Sequence, residues 1–274
     1  MPELPEVETV KRGLEKTLIG ATISEVILRR GNLRTEFPKN FAKSLAGQKI
    51  TKISRRAKYL LFNFESDVVL IAHLGMTGKF SVIPKNREYK LEKHDHVVFV
   101  LNDGRSVVYN DTRRFGLMEI CKKSELEKHK LLKDLAPEPL EKDFSEGYLK
   151  KALSKRTTPI KPTIMDQKIV VGVGNIYASE ALFMAGISPI KPANEIEKKI
   201  PLLISCIHDV LNAAIKAGGS TISDFAHVSG DSGYFQHSFH VYGKEGEPCS
   251  KCKSPILYIR QSGRATFYCD KCQK

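Results

Sequence analysis

Four cysteines near the C-terminus stand in two pairs, Cys249-x2-Cys252 and Cys269-x2-Cys272, with sixteen residues between the pairs. Two such knuckles place four thiolates at the corners of a tetrahedron, which is the donor set and geometry of zinc. Two disulfides or two redox-active pairs are the alternatives. The N-terminus is not expected to carry a secretory leader, which disfavours disulfides, and a redox Cys-x2-Cys belongs in a βαβ unit, which this stretch does not offer. The spacing therefore favours one closed, structural zinc ion. Cys121 and Cys206 have no partner at ligand spacing and read as buried thiols.

A second reactive group lies at the opposite end. With Met1 removed, Pro2 offers a secondary amine beside the carboxylate of Glu3. An α-amino group has an ordinary pKa of about 8, so part of it is unprotonated at neutral pH and can attack an electrophilic carbon to form an iminium adduct. The plainer reading of Pro2-Glu3 is a helix start with acids in the first turn, where the helix dipole favours them. Gly172-Val173-Gly174-Asn175 lacks the third glycine of a dinucleotide loop and leaves a turn opening a helix, with amides able to hold a phosphate. His94-Asp95-His96 lacks further metal ligands. Lys49, Lys52, Arg55, Arg56 and Lys58 form a basic cluster before an apolar strand. Arg113-Arg114-Phe115-Gly116 reads as a surface turn, or as cations beside an aromatic that can prop open a base step.

Elements with two different periodicities must position these groups. Residues 3–18 read as an amphipathic helix with Val7, Val10, Leu14 and Leu18 on one face and Gly20 at its end. From about 23 to 120 the pattern is that of strands: Tyr59–Phe64 and Val68–Leu74 flank one turn, and Val97–Leu101 and Val107–Asn110 flank Asn102-Asp103-Gly104. An antiparallel sandwich or barrel follows. Beyond 121 the chain turns helical: Ser124 with Glu127 has capping-box spacing before Leu131, Leu132 and Leu135. Ser145 caps a stretch to Leu153, Asn175 to Met184 ends at Gly186, and Pro201 opens a helix to Ala217 closed by Gly218-Gly219. Between the cysteine pairs, Ile256–Arg260 and Ala265–Tyr268 form a hairpin around Ser262-Gly263. The predicted fold class is α+β, with domains at 1–135, 136–235 and 236–274 and a linker near 136–144.

The 274 residues are 41% hydrophobic and 27% charged, which excludes disordered and collagen-like chains. No apolar run approaches the ~18 residues of a membrane span, and the acidic N-terminus lacks an apolar leader, so the expectation is a soluble cytoplasmic protein. Lys and Arg number 44 against 31 Asp and Glu, a net charge of +13. That excess is the footprint of a polyanion binder, or simply of a lysine-rich chain. The segment from Lys244 adds seven basic residues against three acidic ones.

Several motifs in order then carry a resemblance: MPELPEVETV at the start, RRAKYLL (55–61), HLGMTGKF (73–80), NDTRRFG (110–116), VVGVGNIYASEALF (170–183), QHSFHVYGKEGEPC (236–249) and the cysteine hairpin. Together they span nearly the whole chain, and the sequence resembles the formamidopyrimidine-DNA glycosylase family more than the sister endonuclease VIII. The resemblance implies a leading helix and β-sandwich, a helix-two-turn-helix domain and a zinc finger. It implies a monomeric base-excision repair enzyme on damaged double-stranded DNA, without a nucleotide cofactor, that flips oxidised purines out of the duplex.

By the same resemblance, Pro2 attacks C1′ and expels the base, and Glu3 protonates the sugar ring oxygen. Lys58 donates a proton in β-elimination, and Arg264 holds flanking phosphates and serves δ-elimination. Met76, Arg113 and Phe115 fill the space left by the flipped base, with Arg113 reading the opposite cytosine. His94, Arg156 and Asn175 contact the DNA backbone, and Glu6 and Glu180 match acidic residues near the site. Residues 220–235 depart from the family's usual arginine-containing closing loop. A non-catalytic zinc-dependent DNA-binding protein, or an enzyme for oxidised pyrimidines, are the competing readings.

Overall fold

Val7, Val10, Leu14 and Leu18 recur at helical spacing and build α1 (Leu4–Leu18), whose buried face they form. Glu3 stands at its N-cap, Pro5 lies in its first turn, and Gly20, at φ +86°, turns the chain into the first strand. The computed structural model describes residues 2–220 and 234–274. Two compact units divide the chain. One comprises residues 1–133 and takes back 217–234; the other comprises 134–216 and 235–274.

The first unit is a sandwich of two four-stranded antiparallel sheets. β1 (Ile23–Leu28), β6 (Asp95–Leu101), β7 (Ser106–Asn110) and β5 (Lys79–Ile83) form one sheet in that order. β2 (Ile50–Arg56), β3 (Tyr59–Phe64), β4 (Val68–His73) and β8 (Leu117–Lys122) form the other. Alternating apolar residues of the two sheets, among them Phe62, Phe64, Phe80, Phe99 and Tyr109, meet in one core with the buried face of α1. A short helix, α2 (Phe41–Leu45), packs against β1. Because α1 touches β2, β3 and β5, the helix that follows Pro2-Glu3 is anchored on both sheets. The expected β6–β7 hairpin forms across Gly104, at φ +88°.

The second unit holds α3 (Glu146–Leu153), α4 (Ile160–Ile164), α5 (Asn175–Met184), α6 (Ile200–Lys216) and the hairpin of β9 (Leu257–Gln261) and β10 (Arg264–Tyr268). Ser145 caps α3 as expected, its hydroxyl accepting from the Tyr148 N–H at 3.2 Å. Every residue of α5 from Ile176 to Phe183 is buried, so this helix is the centre around which α4, α6 and β10 pack. The β9–β10 turn places Ser262 at φ +48° and Gly263 at φ +76°, the two left-handed residues that match the twist of a tight hairpin.

One expected element does not form. Instead of a helix capped by Ser124, the chain makes a 3-10 turn over Lys123–Lys128 with Lys122 in the cap position and no buried residue. Of Leu131, Leu132 and Leu135 only Leu132 is buried, so the segment lacks the continuous apolar stripe that would hold a helix to the core. Cys121 is half-buried rather than buried, although its environment still pushes the thiol up. The departing stretch 220–235 falls mainly on residues 221–233, which lie outside the described residues; Ser220 and Tyr234 at its ends pair as an antiparallel bridge.

Candidate nucleic-acid interface and metal centre

In the first unit the N-terminus is held by carboxylates. Pro2 is buried and Glu3 is only 2% exposed. The Glu6 side chain reaches back to accept from the Glu3 backbone N–H at 2.8 Å, the return arm of a capping box. Its other oxygen accepts from the Ser220 N–H at 2.8 Å and the Ser220 hydroxyl at 3.0 Å. Gly219, at φ +80°, lies so close that an added Cβ would stand 3.1 Å from Glu6 Oε1. One turn along α1, Glu8 pairs with Arg55 at 3.0 Å, and Arg55 donates to the carbonyl of Ala57 at 2.9 Å. This pair joins α1 to the β2–β3 turn, where Ala57 at φ +53° precedes Lys58. Lys58 is 8% exposed, a cation largely withdrawn from water.

His73, at the end of β4, was not among the residues expected to act. It packs against the Tyr59 ring, and its Nδ1 accepts from the Gly75 N–H at 3.0 Å, which leaves Nε2 as the protonated nitrogen of the neutral ring. Burial, then the positive charges of Lys58 and Arg34, push its pKa down to about 4.

Beyond His73, two turns meet on one buried carboxylate. Asp111 is 0% exposed. Its Oδ1 accepts from the Thr77 hydroxyl at 2.5 Å, and its Oδ2 from the Gly116 N–H at 2.8 Å and the Tyr109 hydroxyl at 3.4 Å. The Thr77 hydroxyl also accepts from the Arg113 N–H at 2.9 Å. The Asp111 backbone completes the junction: its N–H donates to the His94 carbonyl at 3.0 Å, and its carbonyl takes the His96 Nε2 at 2.8 Å. The backbones of Arg113 and His94, and the neighbours of Met76 and Phe115 in sequence, are thus bonded at one junction. Phe115 is 44% exposed, with the Arg113 guanidinium 4.9 Å from its ring centroid. Glycine is required at the join, since a Cβ on Gly75 would fall 2.3 Å from the Phe115 backbone.

In the second unit a buried lysine plays the corresponding part. Lys161 is 1% exposed, and its Nζ donates to Asn175 Oδ1 at 2.7 Å, the Ala265 carbonyl at 2.7 Å and Thr266 Oγ1 at 2.8 Å. It therefore joins the start of α5 to β10 directly beside Arg264, which is exposed at the hairpin turn. Asn175 also donates to the Tyr242 hydroxyl at 3.4 Å. Glu180 accepts three backbone N–H groups, from His240, Val241 and Tyr242, at 2.8 to 3.0 Å. It fastens α5 to the segment that leads into the cysteine hairpin. Arg156 is exposed just beyond α3.

The four cysteines converge as their spacing predicts. All their Sγ atoms lie within 4.8 Å of one another, with Cys252–Cys269 at 3.4 Å and Cys249–Cys272 at 3.9 Å. A tetrahedral ion with Zn–S bonds of ~2.3 Å needs sulfurs about 3.8 Å apart. The donor set itself calls for a cation: bonds from Ser254 bring the Cys252 thiol down to about 6, while the crowding sulfurs, Cys252 first, drive Cys272 up to about 12. Four thiolates coexist here only around a positive ion. The residues fit one zinc, with all four positions taken by sulfur and none open for chemistry.

Two outcomes follow from this geometry. Cys249→Ser removes one ligand, so the purified protein loses its single equivalent of zinc, and limited proteolysis then cuts within 244–274 while the β-sandwich stays intact. His73 sets a pH dependence. The unfolded imidazole takes a proton near 6.5 and the folded one only near 4, so the stability it contributes is complete above pH 6.5 and is lost as pH falls towards 4. At 1.4 kcal/mol per unit and discounted for partial exposure, this amounts to roughly 2 kcal/mol. His73→Asn, which keeps an acceptor, flattens that fall by about this amount in urea unfolding compared at pH 7 and pH 4.5.

Comparison with known proteins finds relatives over the whole chain. Residues 1–118 match the formamidopyrimidine-DNA glycosylase N-terminal domain, 135–226 its H2TH domain, and 246–274 the zinc finger found in FPG and IleRS. Formamidopyrimidine-DNA glycosylases of Ruegeria sp. (strain TM1040) and Dinoroseobacter shibae are each 46% identical, with all of both chains covered. Among solved structures, a variant of Lactococcus lactis FPG in complex with Fapy-dG containing DNA is similar with a TM-score of 0.92, 40% identity and full coverage of both chains. The wild-type Lactococcus lactis enzyme in complex with an oxidized pyrimidine containing DNA gives 0.90 at the same identity and coverage. With its sandwich, helical region and zinc hairpin all matched in order, the chain belongs to the formamidopyrimidine-DNA glycosylase family.

Proposed function

We propose that this protein excises oxidised purines, 8-oxoguanine and formamidopyrimidines, from duplex DNA and then cleaves the strand at the resulting abasic site. The observation that carries the reading is the Pro2-Glu3 pair, kept at the buried, carboxylate-clamped start of α1, in a chain related over its full length to glycosylases. After removal of Met1, the Pro2 nitrogen forms a bond to C1′ as the bond from C1′ to the base breaks. Glu3 gives a proton to the sugar ring oxygen, and the opened sugar stays bound to Pro2 as an iminium. Loss of the C2′ proton to solvent then expels the 3′ phosphate, with Lys58 supplying a proton. Loss of the C4′ proton in a second elimination, held by Arg264, expels the 5′ phosphate, and water hydrolyses the iminium to release the sugar remnant as an aldehyde and free Pro2. A one-nucleotide gap with phosphate at both ends results.

Met76, Arg113 and Phe115 occupy the space of the extruded nucleotide, and Arg113 reads the opposite cytosine. The exposure of Phe115, with Arg113 stacked on it, supports this assignment. His94, Arg156 and Asn175 contact the backbone, the last at the amide end of α5. The zinc acts only by holding the hairpin that carries Arg264. The protein works as a cytoplasmic monomer on double-stranded damaged DNA, without a nucleotide cofactor.

The test is covalent trapping. Incubated with a duplex containing 8-oxoguanine opposite cytosine and then borohydride, the protein gives a cross-linked peptide that maps to Pro2. No adduct from a protein shown to lack Met1 and to bind the duplex overturns the reading. Trapping on oxidised pyrimidine alone would shift the substrate, and no adduct on any lesion or abasic site would leave a DNA-binding protein without chemistry. Arg113→Ala loses its preference for cytosine over adenine opposite the lesion by about tenfold, the scale of one bidentate base contact, while incision of a preformed abasic site is little changed in single-turnover kinetics.

A further inference from the structure

We infer that Asp111, acting through Thr77, is the positioning residue that sets the three void-filling side chains as one body. This rests on the assignment of Met76, Arg113 and Phe115 above. The two turns that carry them, 74–78 between β4 and β5 and 111–116 between β7 and β8, each cross from one sheet to the other. Strand pairing holds their ends, at His73–Leu117 and Lys79–Asn110, and this junction with the close backbone approach at Gly75 joins them between those ends. The Thr77 hydroxyl is a relay: it donates its one proton to Asp111 and accepts the Arg113 N–H, so it fixes the residue beside Met76 and the backbone of Arg113 at the same time. The second Asp111 oxygen takes the Gly116 N–H and so fixes the backbone beside Phe115. A carboxylate this deeply buried stays only where donors converge on it. If core stability were its sole purpose, an apolar residue would serve as well. What the polar junction adds is one fixed register between the middles of the two turns, where Met76 is half-buried and residues 112–115 are exposed. Tyr109 extends the hub inward, so the register is referred to the sandwich core.

The test is a substitution series read on two substrates. Thr77→Val keeps the shape and removes the relay. It lowers excision of 8-oxoguanine opposite cytosine by about tenfold, the scale of one hydrogen bond to a charged group, and removes most of the preference for cytosine over adenine. Incision of a preformed abasic site changes by no more than about threefold. Thr77→Ser restores both properties because the hydroxyl returns. Combined with Arg113→Ala, Thr77→Val produces no further loss of opposite-base preference, since both act on one element. Asp111→Asn is the second route to the same pattern should Thr77→Val fail to fold. A folded Thr77→Val protein that keeps its opposite-base preference overturns the inference. So does an equal loss on both substrates that follows a lowered melting temperature. Arg113→Ala alone tells the two readings apart: if it leaves the preference intact, the void-filling assignment fails; if it erases the preference while Thr77→Val does not, only the positioning role of Asp111 fails.

Discussion

A buried carboxyl group has to be met by hydrogen-bond partners, and Asp111, 0% exposed, imposes that demand on the turns that flank it in the β-sandwich. The donors it gathers come from separate parts of the sequence: a hydroxyl from the turn after β4, one from β7, and an amide from the turn before β8. Its own backbone adds His94 and His96 from the start of β6. Strand pairing holds the ends of the turns at 74–78 and 111–116, through His73–Leu117 and Lys79–Asn110. The carboxylate makes them one surface, and glycines at 75, 78 and 116 let the backbones come close enough for the bonds to form.

The second unit solves the same problem with the opposite sign. Lys161 is a buried cation met by three neutral acceptors, on α5 and on β10. The zinc cluster fixes the base of the hairpin, Lys161 fixes its flank, and the two left-handed residues fix its tip. Arg264 follows that tip, so the direction of an exposed, flexible side chain is set by three restraints on the backbone beneath it. Glu180 extends the same logic by gathering the three successive amides of residues 240–242.

Much of this was legible in the sequence where the signal is periodic or local. The apolar spacing of α1, the β6–β7 hairpin, the Ser145 cap and the two cysteine pairs each depend on neighbours within a few residues, and each formed as read. Capping-box spacing at Ser124 was misleading because a cap only stabilises a helix that has an apolar face to bury, and residues 123–128 have none. The hubs were invisible for a different reason. Asp111 lies in NDTRRFG, where the arginines draw attention, and its partners are up to 34 positions away. Lys161 reaches residues 104 and 105 positions away. His73 reads as an ordinary strand-end residue until the bond from the Gly75 amide and the positive charge of Lys58 near it are seen. Through-space pairing of buried polar groups leaves no periodic trace; only His73, which follows the apolar run Val68–Ala72, stands out in the sequence as a polar residue among apolar ones.

The Glu6 carboxylate also ties the timing of folding to the order of synthesis. It grips the backbone of Glu3 on one side and Ser220 on the other, a span of 214 residues. A ribosome delivers Pro2 first, and strands β1 to β8 can pair as they emerge, but the second half of this grip does not exist until residue 220 has been made. The sandwich is thus a discontinuous unit, closed by a late segment after the helices have been synthesised. Such long closures are slow relative to local pairing. A nascent or truncated chain ending before residue 220 carries the proline and its neighbouring glutamate without the clamp that completes their setting, so assembly of the N-terminal site is linked to nearly full-length synthesis.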